Sequence, residues 1–71
     1  MSKLTATARE IKKAIIEHVS VQGNLAPSEI FTSMIDSFPN NNHYEIRYIV
    51  KEMQKENLLV NDIIFGGLRV Q

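Results

Sequence analysis

Hydrophobic residues recur every three to four positions in three successive segments of the chain, which is the spacing of an amphipathic helix. The three hydrophobic stripes are Ile11, Ala14, Ile15 and Val19; Ile30, Phe31, Met34, Ile35 and Phe38; and Ile46, Ile49, Val50 and Met53. Each stripe covers one face of its helix and leaves the other face polar. The pattern therefore predicts three helices that pack around a common core.

Capping residues indicate where these helices begin and end. Thr7 and Glu10 have the spacing of a capping box, and Gly23 is a typical helix stop. Pro27 suits the first turn of a second helix, and Asn42 suits the N-cap of a third. The predicted helices span about Thr7–Gln22, Pro27–Phe38 and Asn42–Asn57.

Residues 58–71 change from helical spacing to runs of strand-forming residues that are broken by turn pairs. A hairpin could turn at Asn61-Asp62 or at Gly66-Gly67. We favour Gly66-Gly67, because glycine adopts a positive φ at no steric cost. The chain should therefore end in a β-hairpin.

The run Ile63-Ile64-Phe65 is too apolar for a hairpin that packs on one side only. Side chains on a strand alternate between its faces, so Ile63 and Phe65 should point one way and Ile64 the other. Some apolar surface should remain exposed beside a free strand edge. Such a surface would bind a second copy of the chain or a protein partner. The alternative is that one apolar residue is exposed and has no function, which is common.

The order helix, short extended link, helix, tight turn, helix, hairpin resembles the winged-helix superfamily, a helix-turn-helix variant. The resemblance covers about Thr7 to Gln71, and residues 25–30 and 49–59 carry its typical pattern of residue types. It implies an α+β fold of three helices followed by a C-terminal β-hairpin, the wing. Residues 7–71 would form this domain, and residues 1–6 would be a flexible N-terminal arm.

Composition narrows the classes of function. A chain of 71 residues is one domain at most, and it has no cysteine for a disulfide or a thiolate metal site. Its apolar runs are far shorter than a membrane span needs, and its start lacks the core of a secretory signal. We expect a cytoplasmic protein with no membrane partner.

The winged-helix resemblance implies that the third helix lies in the major groove of double-stranded DNA. Helix geometry places Tyr44, Tyr48, Lys51 and Lys55 opposite the buried stripe, with Arg47 on one flank. The acidic residues of the helix fall on the other flank. The predicted DNA-contacting residues are Asn41, Asn42, His43, Tyr44, Arg47, Tyr48, Lys51, Lys55 and, in the wing, Arg69.

Charge supports this interpretation only in part. Arg47, Lys51 and Lys55 follow each other at i, i+4, where like charges repel by roughly 0.2–0.5 kcal/mol per pair, so a phosphate backbone would stabilise them. The alternative is an ordinary solvated face on which Lys55 pairs with Glu52. The formal net charge is +0, with 8 basic and 8 acidic side chains, which argues against non-specific coating of nucleic acid.

The remaining basic residues are ambiguous. Arg69 is the one basic residue of the wing, fewer than many DNA-binding members have, and it is equally typical of a solvent-facing strand. A second basic cluster near the chain start has two interpretations. It would contact phosphate, or it would be an ordinary solvated face on which Lys13 pairs with Glu17. Its members are Lys3, Arg9, Lys12 and Lys13.

Catalysis has little support in the sequence. His18 and His43 fall on different predicted helices, and neither has a further ligand at metal-binding spacing. We expect no enzyme activity, no metal and no cofactor. The leading hypothesis is a small DNA-binding transcriptional regulator that binds a two-part site as a dimer or binds DNA weakly. The alternative is a winged helix that binds a protein and not DNA, which the neutral charge and the apolar wing favour.

Overall fold

The computed structural model describes residues 5–71, and within them it has three helices followed by a two-stranded antiparallel hairpin. This is the α+β, winged-helix-like layout that the sequence predicts. The elements are α1 (Ala8–Gln22), α2 (Pro27–Ser37), α3 (His43–Lys55), β1 (Leu59–Asn61) and β2 (Leu68–Val70).

The predicted caps are present at the helix ends. The Thr7 hydroxyl accepts a hydrogen bond from the Glu10 amide at 3.2 Å, and the Glu10 carboxylate accepts one from the Thr7 amide at 2.8 Å. The Asn42 side chain accepts from the Tyr44 amide at 2.8 Å. Helix α3 ends at Lys55, short of the predicted Asn57, because Asn57 adopts a φ of 63° and turns the chain toward β1.

The three predicted stripes meet in one hydrophobic core between the helices and the hairpin. Leu59 of β1 and Leu68 of β2 close this core from the wing side, each with 1% of its surface exposed. The buried residues are Ile11, Ile15, Val19, Ile30, Met34, Ile46, Ile49, Val50, Met53, Leu59 and Leu68. The three helices and the hairpin therefore share a single core.

The hairpin turns at neither of the predicted residue pairs. Leu59 pairs with Val70 and Asn61 with Leu68, so the connection is the whole segment 62–67, which we call the wing loop. The prediction of a tight turn at Gly66-Gly67 is wrong. Both glycines have the expected positive φ, but they bring a longer loop back to β2.

A third extended segment lies beside the hairpin. Leu25, in the link between α1 and α2, donates to the Leu68 carbonyl at 2.9 Å and accepts from the Leu68 amide at 2.7 Å. This isolated antiparallel bridge joins the α1–α2 link to β2. The wing is therefore attached to the helical part through backbone hydrogen bonds as well as through the core.

The predicted flexible arm, residues 1–6, falls partly outside the described residues. Ala6, within the described part, packs against the core, and the Asn41 side chain pairs with its backbone. Ala6 therefore belongs to the folded domain and not to the arm.

Candidate nucleic-acid interface

Helix α3 presents a polar and aromatic face to solvent. Its buried side chains, such as Ile46 and Met53, lie on the other side of the helix and pack in the core. Tyr44 and Tyr48 project from it with 79% and 62% of their surfaces exposed. Lys51 and Lys55 continue along the same face and are also exposed. This is the surface that helix geometry predicted.

Glu45 of α3 and Glu56, which directly follows the helix, are bonded on the opposite flank. Glu45 accepts from the Asn41 side chain at 3.0 Å, and Glu56 forms an ion pair with Lys12 of α1 at 3.6 Å. Glu52 is half-buried. The negative charges of the helix are thus directed away from the exposed face.

The basic residues of α3 have no carboxylate partner among residues 5–71. This holds for Arg47, Lys51 and Lys55, so the Lys55–Glu52 pair of the alternative interpretation does not form. On α1, Lys13 does not pair with Glu17 in the described part of the chain. Arg47, Lys51 and Lys55 thus form one positive edge of α3, which we call the basic edge.

Arg47 packs against an aromatic ring of the second helix. Its guanidinium carbon lies 5.1 Å from the centroid of the Phe31 ring. His43 approaches the same ring edge-on, with centroids 6.2 Å apart and planes at 85°. The sequence interpretation assigned Phe31 to the core, and its hydrophobic spacing alone does not distinguish a core residue from a platform at the rim. Phe31 thus joins the candidate site as a residue that the sequence analysis missed.

Asn41 does not belong to the DNA-contacting set. Only 5% of its surface is exposed. Its amide group donates to the Ala6 carbonyl at 3.0 Å and to Glu45, and its oxygen accepts from the Ala6 amide at 2.8 Å. Its donors and its acceptor are engaged within the fold, so the predicted contact with DNA is corrected to a structural role. Asn42 and His43 are exposed at the start of α3, as a contact would require.

The apolar triad, Ile63, Ile64 and Phe65, lies in the wing loop and not on a strand. The expected alternation is therefore wrong, and all three side chains point to solvent, with 97%, 83% and 80% of their surfaces exposed. The loop is nevertheless hydrogen-bonded. One Asp62 oxygen accepts from the amides of Ile64 and Phe65 at 3.0 and 2.9 Å.

Further bonds fix the base of the wing loop. The Asp62 amide donates to the Gly67 carbonyl at 2.9 Å, and the Asn24 side chain donates to the Gly66 carbonyl at 3.0 Å. The hydrogen bond from the Phe65 amide is the main cause that holds the pKa of the Asp62 carboxyl below its ordinary value of 3.8, and the bond from the Ile64 amide adds to it. Partial desolvation of the carboxyl acts in the opposite direction. Hydrogen bonds to the charged form cause the lowering.

Arg69 is exposed on β2, opposite Val60 of β1. It is on a different element from the basic edge, and its charge also lowers the pKa of Asp62. Of the second basic cluster, Arg9 and Lys13 are exposed on α1, and Lys12 is paired with Glu56. Lys3 lies outside the described residues.

The two histidines lie in different parts of the fold. His18 of α1 contacts the Ser33 hydroxyl of α2 at 3.1 Å, whereas His43 packs on Phe31. Residues 5–71 contain no group of three or more histidine, cysteine or acidic side chains placed to hold a metal ion. None of their helices is long and apolar enough to span a bilayer.

The chain was compared with protein-family models, curated proteins and solved structures. No protein-family model, no curated protein and no solved structure matches the chain.

Proposed function

We propose that this chain is a winged-helix DNA-binding protein that places α3 in the major groove and regulates transcription. The observation that carries the proposal is the separation of charge on α3. The basic edge and two exposed tyrosines share one side, while Glu45 and Glu56 are bonded elsewhere. A phosphate backbone would supply the negative charge that the basic edge lacks.

Each side chain has a role that suits its chemistry. Lys51 and Lys55 would contact phosphates as point charges, and the hydroxyls of Tyr44 and Tyr48 would donate to phosphate oxygens. Arg47 would contact base edges. Asn42 and His43 would lie at the helix start, and Arg69 would contact the backbone from the wing.

The size of the domain bears on how it binds. Single DNA-binding modules bury a small interface, so a two-part site occupied by a dimer is the expected arrangement. We expect a regulator of this kind to work in the cytoplasm.

The proposal predicts a specific effect of Lys51→Ala on binding to duplex DNA. Lys51 is exposed and unpaired among the described residues, so its removal should weaken binding to all sequences alike. The slope of log affinity against log salt should fall by about 1, the loss of one phosphate contact. The measurement is fluorescence anisotropy of labelled random duplex at several salt concentrations.

The matched control is Lys13→Ala, which removes an exposed lysine of α1 that is likewise unpaired in the described part. It should leave the slope unchanged. An equal effect of both variants would mean that overall charge or a phosphate contact from α1 sets the slope, and it would contradict a role specific to α3. No binding by the unaltered protein at low salt would reject the DNA proposal.

A second candidate function rests on the apolar triad of the wing loop. Three adjacent large apolar side chains that are almost fully exposed are unusual on a monomer, because apolar surface is expelled from water. The alternative is a winged helix that binds a protein, or a second copy of itself, through the wing.

A further inference from the structure

We infer that the Phe31–Arg47 pair forms a guanine-recognition element, in which Phe31 positions Arg47 and Arg47 contacts the base. The inference rests on the proposed DNA-binding function and extends it from a base contact by Arg47 to the identity of the base and the positioning role of Phe31. Its basis is the packing of the Arg47 guanidinium at 5.1 Å from the centroid of the Phe31 ring.

The Phe31 ring is itself held in place. Phe31 is half-buried on α2, where it packs against the hydrophobic core, and His43 contacts its ring from the start of α3. The ring is thus restrained by two helices. A long arginine side chain on an exposed helix face would otherwise sample many rotamers, and this ring restricts them.

The ring contact leaves the donors of Arg47 available. A cation–π contact consumes no hydrogen-bond acceptor, and the guanidinium has five N–H groups, of which those that do not face the ring stay available. Within residues 5–71 the Arg47 guanidinium has no ion pair and no hydrogen bond. Its N–H groups are therefore free to bind an acceptor pair on a ligand.

Guanine supplies that acceptor pair in the major groove. Its O6 and N7 atoms match the two parallel donors of a guanidinium, and this is the commonest specific contact between protein and DNA. Arg47 lies near the N-terminal end of α3, the part of a recognition helix that contacts base edges, whereas Lys51 and Lys55 lie farther along. Position and donor geometry thus both favour a base over a phosphate.

The test first selects preferred duplexes from a random library with the unaltered protein. The preferred site should contain a required guanine, and its replacement by 7-deazaguanine, which lacks N7 but keeps base pairing, should weaken binding roughly tenfold. In Arg47→Met this penalty should largely disappear, because methionine keeps an unbranched side chain but has no N–H donor for O6 or N7.

Phe31→Leu tests the positioning role. It should reduce the 7-deazaguanine penalty severalfold and leave the salt slope unchanged, because the phosphate contacts remain. Phe31→Tyr keeps the ring and should retain the penalty, and thermal unfolding of each variant checks that the core is intact. Loss of stability alone would weaken binding to both duplexes equally and would not change their ratio.

The outcomes separate this inference from the proposed function. Salt-dependent binding with no required guanine, or a penalty that persists in Phe31→Leu or Arg47→Met, would overturn the recognition element and leave DNA binding in place. Absence of any duplex binding at low salt would overturn both.

Discussion

Gly67 occupies a position where the wing loop passes against the backbone of the α1–α2 link. Its φ is 76°, and a Cβ added there would lie 2.9 Å from the carbonyl carbon and oxygen of Leu25. Those atoms belong to the bridge between Leu25 and Leu68, so they cannot move without breaking its hydrogen bonds. Gly66 also has a positive φ, of 80°, but a Cβ there would meet nothing within 4 Å.

We therefore expect Gly67→Ala to destabilise the fold much more than Gly66→Ala. Gly66→Ala should cost only the positive φ, roughly 1–2 kcal/mol, whereas Gly67→Ala adds a backbone collision. Urea denaturation followed by circular dichroism would give both free energies of unfolding. Equal losses in the two variants would show that the link gives way and that the contact is not restrictive.

Single residues also show what the sequence leaves open. Asn41 and Asn42 are adjacent and identical in type, and both were predicted to contact DNA. Asn42 caps α3, whereas Asn41 is buried and pairs with Ala6, a residue far away in the chain. Local preference identifies asparagine as a turn residue, but which asparagine is buried depends on a tertiary contact. Phe31 has the same ambiguity at the rim of the core.

At the scale of elements, the wing loop depends on the charge of one carboxylate. Asp62 has a lowered pKa because its charged form accepts the amide hydrogen bonds of Phe65 and Ile64. A lowered pKa in the folded state means that the charged form contributes stability at pH values above the ordinary 3.8. That contribution is lost as the pH falls below this value and through the folded-state pKa.

We expect the hydrogen bonds from the amides of Ile64 and Phe65 to the Asp62 carboxylate to weaken as the pH falls below 3.8, the ordinary pKa of this carboxyl. Two-dimensional NMR would show the shifts of these amides moving together with the Asp62 carboxyl resonance. Asp62→Asn keeps an acceptor oxygen but does not titrate, so its loop amides should show no such transition. A transition that persists in Asp62→Asn would have to arise from another group.

The three helices could be predicted from the sequence because the residue patterns that specify a helix lie within the helix itself. Hydrophobic spacing and the caps at Thr7 and Asn42 lie within the segments that they define. The wing loop could not, because residues 63–65 are strand formers that the Asp62 side chain folds into a turn. The Asn24 side chain adds a bond to Gly66 from outside the hairpin. The side chain of Asp62 thus overrides the strand preference through hydrogen bonds to the backbone two and three residues along, and the distant Asn24 adds to them.

At the scale of the whole molecule, two unlike surfaces belong to different elements. The basic edge with Tyr44 and Tyr48 lies on α3, and the apolar triad lies at the end of the wing. Separate surfaces permit one to bind DNA while the other joins two copies, which a two-part DNA site would require. The proposed function and its alternative are therefore separable by mutation.

Phe65→Ser should weaken self-association at least tenfold if the triad joins two copies, because it removes a large exposed ring from a small contact. Sedimentation velocity over a range of protein concentrations would measure this. Val21→Ser is the matched control, since Val21 is 82% exposed on α1 and outside the wing. It should leave association unchanged, as should Lys51→Ala. An unaltered protein that stays monomeric throughout would contradict a dimer through the wing.

The bridge between Leu25 and Leu68 has a consequence for synthesis on the ribosome. A nascent chain that has emerged only as far as residue 60 contains all the residues of α1, α2 and α3. It lacks Leu68, which supplies both a buried side chain and the partner of the α1–α2 link. The helices can form early, but the core that they share stays incomplete until β2 has left the exit tunnel. β2, which follows the three helices in the chain, therefore completes the core that α1 and α2 share with α3.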